Sequence, residues 1–167
     1  MGKTLLLHDL PPEAPQAVPG TPGDYTLFPA QPTVYHCTGC FGCWLKTPGR
    51  CLLNDRGDEF AMLVPRHSRL VIISRLVFGG LSPDVKALWD RSIALALPFF
   101  RSVNGETHHP PRYEDMPELC FRFYGQDMDE RDVATARRLA SANALNFAAP
   151  RYSVAFYPSY KEAWEAR

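Results

Sequence analysis

The chain has 167 residues, of which 46% are hydrophobic and 22% charged, and this composition predicts one folded domain over residues 1–167. Its 18 lysines and arginines balance 18 aspartates and glutamates, which excludes an overall field that would attract nucleic acid or an anionic membrane. No apolar run approaches the ~20 residues of a membrane span, and the start MGKTLLLHDL has too short an apolar core for a signal peptide. We therefore predict a cytoplasmic protein with neither nucleic acid nor membrane as a partner.

Strands and helices are predicted to alternate along the chain. Short apolar runs predict five strands, at residues 3–8, 24–28, 69–73, 118–124 and 152–157. Helical spacing predicts helices at residues 57–64, 83–97 and 129–148, and a last helical turn at 160–164. Residues 101–117 are predicted to form a polar loop. Six prolines between Leu10 and Gln31 predict an extended connection after the first strand, so that the first crossover helix is lost or very short.

This alternation predicts an α/β fold in which a five-stranded parallel sheet is covered on both faces. In such sheets, ligands bind at the carboxyl ends of the strands. A cysteine-rich stretch follows the second predicted strand, and VFGG follows the third. Both stretches are therefore predicted to lie on one edge of the sheet and to form a binding site there.

The stretch CTGCFGCWLKTPGRC contains four of the five cysteines, spaced C-x2-C-x2-C-x7-C. Cytosolic cysteines are usually reduced, so such a cluster points more to metal or redox chemistry than to a disulfide scaffold. A 4Fe–4S cluster needs four converging thiolates, which Cys37, Cys40, Cys43 and Cys51 can supply, while Cys120 lies on a predicted core strand. Two alternatives stay open: a four-thiolate zinc site, and structural or redox-active thiols without a metal.

Several stretches together resemble a known family. The cysteine stretch with Asp55 beyond it, a strand leading to FGG, and the helix sequence VKALWDRSI are similar to the flavodoxin-like NAD(P)H-dependent FMN reductases. The closest resemblance is to small proteins related to the iron–sulfur flavoproteins, and it extends over roughly residues 33–157. It implies a three-layer flavodoxin-like sandwich with sheet order 2-1-3-4-5, FMN at the strand ends and a homo-oligomer.

The resemblance also implies which residues would hold FMN. In the family, the loop after the third strand supplies backbone contacts to the isoalloxazine ring, and glycines let that backbone approach a flat ring. The corresponding residues here are Arg75, Leu76, Val77, Phe78, Gly79 and Gly80. Trp44 and Phe41 could line the binding site of an aromatic ligand, and the alternative is that they pack in the core. For Gly79 and Gly80 the alternative is that they only make the turn between strand and helix.

The sequence departs from the family after the first strand. His8-Asp9-Leu10-Pro11-Pro12 stands where the family has a glycine- and hydroxyl-rich loop before a helix that holds the FMN phosphate. This difference predicts either weak FMN binding through the ring or a phosphate held by a partner subunit.

Three functions follow from these patterns. The first is FMN-dependent electron transfer from NAD(P)H to a small acceptor such as a quinone or flavin, by an active or degenerate member of the family. The second is a non-catalytic oligomeric binding protein with a flavodoxin-like fold. The third is iron–sulfur electron transfer. The adjacent His108 and His109 are predicted to point apart, so that they do not share one metal ion.

Overall fold

The computed structural model describes residues 3–14, 24–30 and 34–166. The strands are β1 (Thr4–His8), β2 (Tyr25–Pro29), β3 (Arg69–Arg75), β4 (Arg101–Val103), β5 (Glu106–His108), β6 (Glu118–Tyr124) and β7 (Tyr152–Tyr157). Five of them form an all-parallel sheet in the order β2-β1-β3-β6-β7. The other two, β4 and β5, form an antiparallel hairpin. The predicted five-stranded parallel sheet is thus confirmed.

The helices are α1 (Gly42–Leu45), α2 (Arg56–Leu63), α3 (Pro83–Arg91), α4 (Glu130–Asn146) and α5 (Tyr160–Glu165), and short 3₁₀ helices follow α2 and α3. In the described part of the chain, three helix starts have a side-chain cap, including α5, where the Ser159 hydroxyl accepts from the N–H of Glu162. The carboxylate of Asp55 accepts a hydrogen bond from the N–H of Gly57, and that of Asp129 accepts one from the N–H of Asp132. Within the described ranges, no helix is long and apolar enough to cross a bilayer.

The two faces of the sheet are covered unequally. Alternate strand residues such as Leu7, Ile72 and Phe121 belong to one large apolar cluster with α2, α3 and α4. Residues of the opposite parity belong to a second cluster, where Val71 and Ile73 pack with Trp164 of α5. The chain is therefore an α/β protein with helices on both sides of the sheet.

Two predicted segments differ from the structure. The helix predicted at 83–97 is wrong beyond Arg91, where the Ser92 hydroxyl donates to the Trp89 carbonyl, which the next turn of an α-helix would use. The indole of Trp44 donates to the Ile93 carbonyl, and the guanidinium of Arg112 donates to that of Ala94. Residues 92–95 form a 3₁₀ helix instead.

The second difference is the hairpin of β4 and β5, where a loop was predicted. Asn104 and Gly105 make its two-residue turn with φ angles of 53° and 83°, a left-handed pair that Asn-Gly favours. In the predicted connection after β1, residues 11–14 include a turn, whereas 15–23 lie outside the described residues. The prediction about the first crossover helix therefore falls largely outside the described part.

Candidate functional site

The cysteine stretch leaves an extended segment, makes the single turn of α1 and returns toward α2. Phe41 adopts left-handed backbone angles, with φ 55°, just before α1. Gly49, with φ 83°, donates its N–H to the carbonyl of Cys43 at 2.9 Å. The N–H of Cys51 donates to the carboxylate of Asp58 on α2 at 2.8 Å. The loop is thus fixed both by its own backbone and by α2.

All four cysteines of this stretch line one cavity of about 350 Å³. Cys43 is buried, Cys51 is half-buried, and Cys37 and Cys40 are exposed. The other wall comes from the end of α3 and from the 3₁₀ helix that follows it, through Asp90, Arg91 and Ile93. The structure therefore brings together the four predicted cluster ligands. It keeps Cys120 apart in the second apolar cluster.

The thiols differ in their electrostatic surroundings. A hydrogen bond from the N–H of Gly42, and then one from the Thr38 hydroxyl, lower the pKa of the exposed Cys40 thiol. Burial, and then the nearby charge of Cys51, raise the pKa of Cys43. Cys40 is accordingly the thiol more easily ionised of these two.

The thiols surround the cavity without converging on one point. In a four-thiolate zinc site the metal–sulfur distance is about 2.3 Å, so tetrahedral geometry brings the sulfurs to roughly 3.8 Å from one another. No three His, Cys, Asp or Glu side chains among the described residues are arranged to hold one metal ion.

Behind the cysteines lies a buried ion pair that the sequence did not reveal. The guanidinium of Arg91 is fully enclosed and donates to both carboxylate oxygens of Asp55, at 2.9 and 2.8 Å. It also donates to the carbonyls of Tyr35 and Leu53. Burial raises the pKa of Asp55, but the hydrogen bond from Arg91 and two backbone N–H bonds outweigh it and hold that pKa below its usual value.

Arg91 joins α3 to two stretches that flank the cysteines. Its partners Asp55 and Tyr35 lie 36 and 56 residues away in the chain, so no local pattern could have identified it. The only signal in the sequence was its place within VKALWDRSI, beside Asp90.

Most backbone N–H groups of the predicted flavin loop already donate hydrogen bonds to other atoms of the protein. The N–H of Arg75 donates to the carboxylate of Asp9, and that of Leu76 donates to the carbonyl of Tyr124. Val77 and Gly80 exchange hydrogen bonds of 3.1 and 2.9 Å across a two-residue turn. Four of the six predicted positions therefore have their N–H groups already paired. Residues 75–80 also do not line the cysteine cavity.

Packing against α4 explains why a glycine, Gly79, stands at the tip of this turn. Phe78 and Gly79 both have left-handed angles, and the Phe78 side chain is 95% exposed. A Cβ atom on Gly79 would lie 2.7 Å from the Cβ of Thr135 on α4. The turn and its contact with α4 are sufficient to require glycine at this position.

A carboxylate lies at the position where the resemblance to the FMN reductases predicts the FMN phosphate. Asp9 follows β1 and accepts hydrogen bonds of 3.0 Å from the Arg75 N–H and from the Tyr124 hydroxyl. Burial raises the pKa of Asp9 despite these hydrogen bonds. A hydrogen-bonded carboxylate repels a phosphate and takes up the donors that a phosphate would use. The described residues at this edge therefore do not fit an FMN phosphate.

No protein-family model and no curated protein matches this sequence. The function has to follow from the site itself.

An aromatic surface adjoins the cysteine cavity. The rings of Phe41 and Trp44 stack with their centroids 5.3 Å apart, His109 packs on Trp44 at 4.7 Å, and Phe100 packs on His109 at 5.0 Å. Phe41 lines the cavity, whereas Trp44 is held on the 3₁₀ helix by its bond to the Ile93 carbonyl. Phe41 is 54% exposed and Phe100 is 73% exposed. These rings form a row of stacked and tilted aromatic side chains beside the thiols.

The two adjacent histidines have separate partners. His108 is buried between Asn146 and Glu106, with its ring nitrogens 2.9 and 3.1 Å from their side-chain oxygens. His109 pairs with the carbonyl of Phe99. The two rings therefore face different neighbours, as the sequence predicted.

Proposed function

We propose that the protein is an electron-transfer oxidoreductase whose redox centre is a 4Fe–4S cluster held by Cys37, Cys40, Cys43 and Cys51. The observation that carries this proposal is the single cavity of about 350 Å³ lined by all four thiols. A set of four thiolates is the usual donor set for such clusters. Once bound, the cluster supplies one-electron redox chemistry.

The chain itself would contribute three things to such a centre. The hydrogen-bonded loop fixes the positions of the ligands, with Cys51 tied to Asp58 and Cys43 tied to Gly49. The apolar residues Phe41, Leu53 and Ile93 form the apolar part of the cavity lining. The N–H of Gly42 favours the ionised form of Cys40, which is the form that binds metal.

Flavodoxin-like identity belongs to the same proposal. Without the β4–β5 hairpin, the order β2-β1-β3-β6-β7 becomes the 2-1-3-4-5 order of doubly wound flavodoxin-like sheets. FMN-dependent electron transfer from NAD(P)H to a quinone or flavin is the second candidate. The exposed stack of Phe41, Trp44, His109 and Phe100 favours it, because flat rings bind well on aromatic surfaces. The paired N–H groups after β3 and the Asp9 carboxylate weigh against it.

The cluster is tested by purification without oxygen, followed by reconstitution with iron and sulfide. We expect a brown protein with broad visible absorption and equal amounts of iron and acid-labile sulfide. Cys40→Ser and Cys51→Ser should lose the colour, while Cys120→Ser should keep it, because Cys120 lies in the second apolar cluster. A colourless wild-type protein after reconstitution would refute the cluster.

The second candidate is tested by titration of the colourless and the reconstituted protein with FMN. Saturable binding, followed by bleaching of the flavin with NADH or NADPH, would support FMN-dependent reduction. If neither FMN nor iron and sulfide bind, the non-catalytic binding protein becomes the better hypothesis. Its predicted homo-oligomer is then the property to measure, by light scattering.

A further inference from the structure

The ion pair behind the cysteines leaves one donor of Arg91 unused. An arginine side chain has five N–H donors in a planar fork. Here Nη1 donates to Tyr35 and Asp55, and Nη2 donates to Leu53 and Asp55. Nε is buried and has no hydrogen-bond partner among the described residues. Buried donors in folded proteins nearly always have an acceptor.

The surroundings of Arg91 show that its position is specific. The Arg91 side chain is 0% exposed, yet the residue lines the cysteine cavity. Gly57 lies against the flat guanidinium, and a Cβ atom there would be 2.8 Å from Cζ. The Cys51 thiol is close enough to contribute to the electrostatics of Arg91. A buried positive charge close to Cys51 is thus built into the wall of a cavity lined with thiols.

We propose that the buried positive charge of Arg91 raises the reduction potential of the centre held by the four cysteines. The negative charge of Asp55 partly offsets this effect. The inference rests on the proposed cluster. On reduction, the cluster takes one electron from a one-electron donor and gains one negative charge, with no bond formed or broken. A nearby buried cation stabilises the more negative, reduced form. Net charge and hydrogen bonds to the sulfurs are known determinants of cluster potentials.

Opposite charges in the pair give opposite predictions. Arg91→Gln removes the cation and leaves the Asp55 carboxylate, so the potential should fall. Asp55→Asn leaves the cation without its counter-charge, so the potential should rise. The single amide oxygen of the asparagine can accept from only one of the two backbone N–H groups that Asp55 pairs, that of Tyr35 or that of Gly57, so circular dichroism is used to check that this variant folds. Arg91→Lys keeps the charge, and its potential should stay near the wild-type value.

The measurement is an anaerobic dithionite titration of the reconstituted protein, followed by electron paramagnetic resonance. We expect the equilibrium constant for reduction to fall at least tenfold in Arg91→Gln, which is about 59 mV for one electron, and to rise in Asp55→Asn. Arg122→Gln is the matched control. Arg122 is a partly buried arginine that donates to the Ala163 carbonyl of α5, on the opposite side of the sheet from α3. The reduction potential of the cluster in Arg122→Gln should equal that of the wild type.

The outcomes separate the inference from the proposed function. A wild-type protein without a cluster refutes both. A cluster whose potential is the same in Arg91→Gln, Asp55→Asn and wild type refutes only the role of Arg91. A shift of the same sign in both variants also refutes it, because general loosening of the site would act in that way. If Arg91→Gln does not fold, the sign of the shift in Asp55→Asn decides.

Discussion

The hydroxyl of Tyr124, at the end of β6, donates a hydrogen bond of 3.0 Å to the carboxylate of Asp9, at the end of β1. Between these strands lies β3, whose last residue, Arg75, donates its N–H to the same carboxylate. One side chain therefore joins the carboxyl ends of three parallel strands.

We expect Tyr124→Phe to lower the free energy of unfolding by about 1–2 kcal/mol, because the half-buried Asp9 carboxylate loses one of its donors. Urea unfolding at neutral pH measures this change. Tyr152→Phe is the control, since Tyr152 is 46% exposed on β7 and its substitution should change stability little. Equal effects of the two substitutions would show that the Asp9 bond contributes nothing.

The pH dependence of stability should depend on His8. Burial lowers the pKa of His8 to about 4, from 6.5 in the unfolded chain. The unfolded state therefore binds more protons between these two values, so stability is full above pH 6.5 and is lost as the pH falls toward 4. For this one histidine, the free energy of unfolding falls by at most about 1.4 kcal/mol for each pH unit.

The measurement compares urea unfolding of wild type and His8→Asn from pH 4.5 to 7.5. The asparagine oxygen can replace Nδ1, which accepts from the N–H of Leu10. We expect the wild-type curve to fall more steeply below pH 6.5 than the variant curve. Parallel curves would mean that His8 is protonated as easily in the folded state as in the unfolded state.

Two glycines with similar backbone angles should differ in their tolerance of alanine. Gly79 has φ 71° and would place a Cβ against Thr135, whereas Gly105 has φ 83° and nothing within 4 Å. We expect Gly79→Ala to cost about 2–5 kcal/mol and Gly105→Ala about 1–2 kcal/mol, measured by thermal or urea unfolding. If the two costs are equal, the contact of the turn with α4 is not what requires glycine.

The thiols should react in a definite order in the metal-free, reduced protein. Cys40 is exposed and has a lowered pKa, whereas Cys43 is buried and has a raised one. We expect iodoacetamide at neutral pH to modify Cys40 well before Cys43, as followed by peptide mass spectrometry. Thr38→Val should slow the reaction of Cys40 severalfold without changing that of Cys120. Faster labelling of Cys43 would contradict the loop geometry.

The sequence predicted the sheet well because its strands are strongly apolar. The run RLVII lies within β3, and the predicted bounds of β6 and β7 match the structure. The hairpin was missed although Asn104-Gly105 is a strong local signal for a two-residue turn. The prolines and polar residues around it favour a loop and mask this signal.

Other features could not be predicted from local patterns. The 3₁₀ helix after α3 is bound by Trp44 and Arg112, far away in the chain, which donate to its Ile93 and Ala94 carbonyls. The role of Arg91 likewise depends on Asp55 and Tyr35, which only the fold brings to it. The spacing of the cysteines predicted that they would gather, but not that a buried cation would lie beside them.

The unequal covering of the sheet has a consequence for how the chain is made. Among the described elements, α5 is the last to be synthesised, and it packs against one face of the sheet through Ala163 and Trp164. The ring of Trp164 also meets that of His8, on the first strand. A nascent chain, or a fragment that stops before Tyr160, would leave that face open to solvent and prone to association. The first and last described elements therefore complete the fold together.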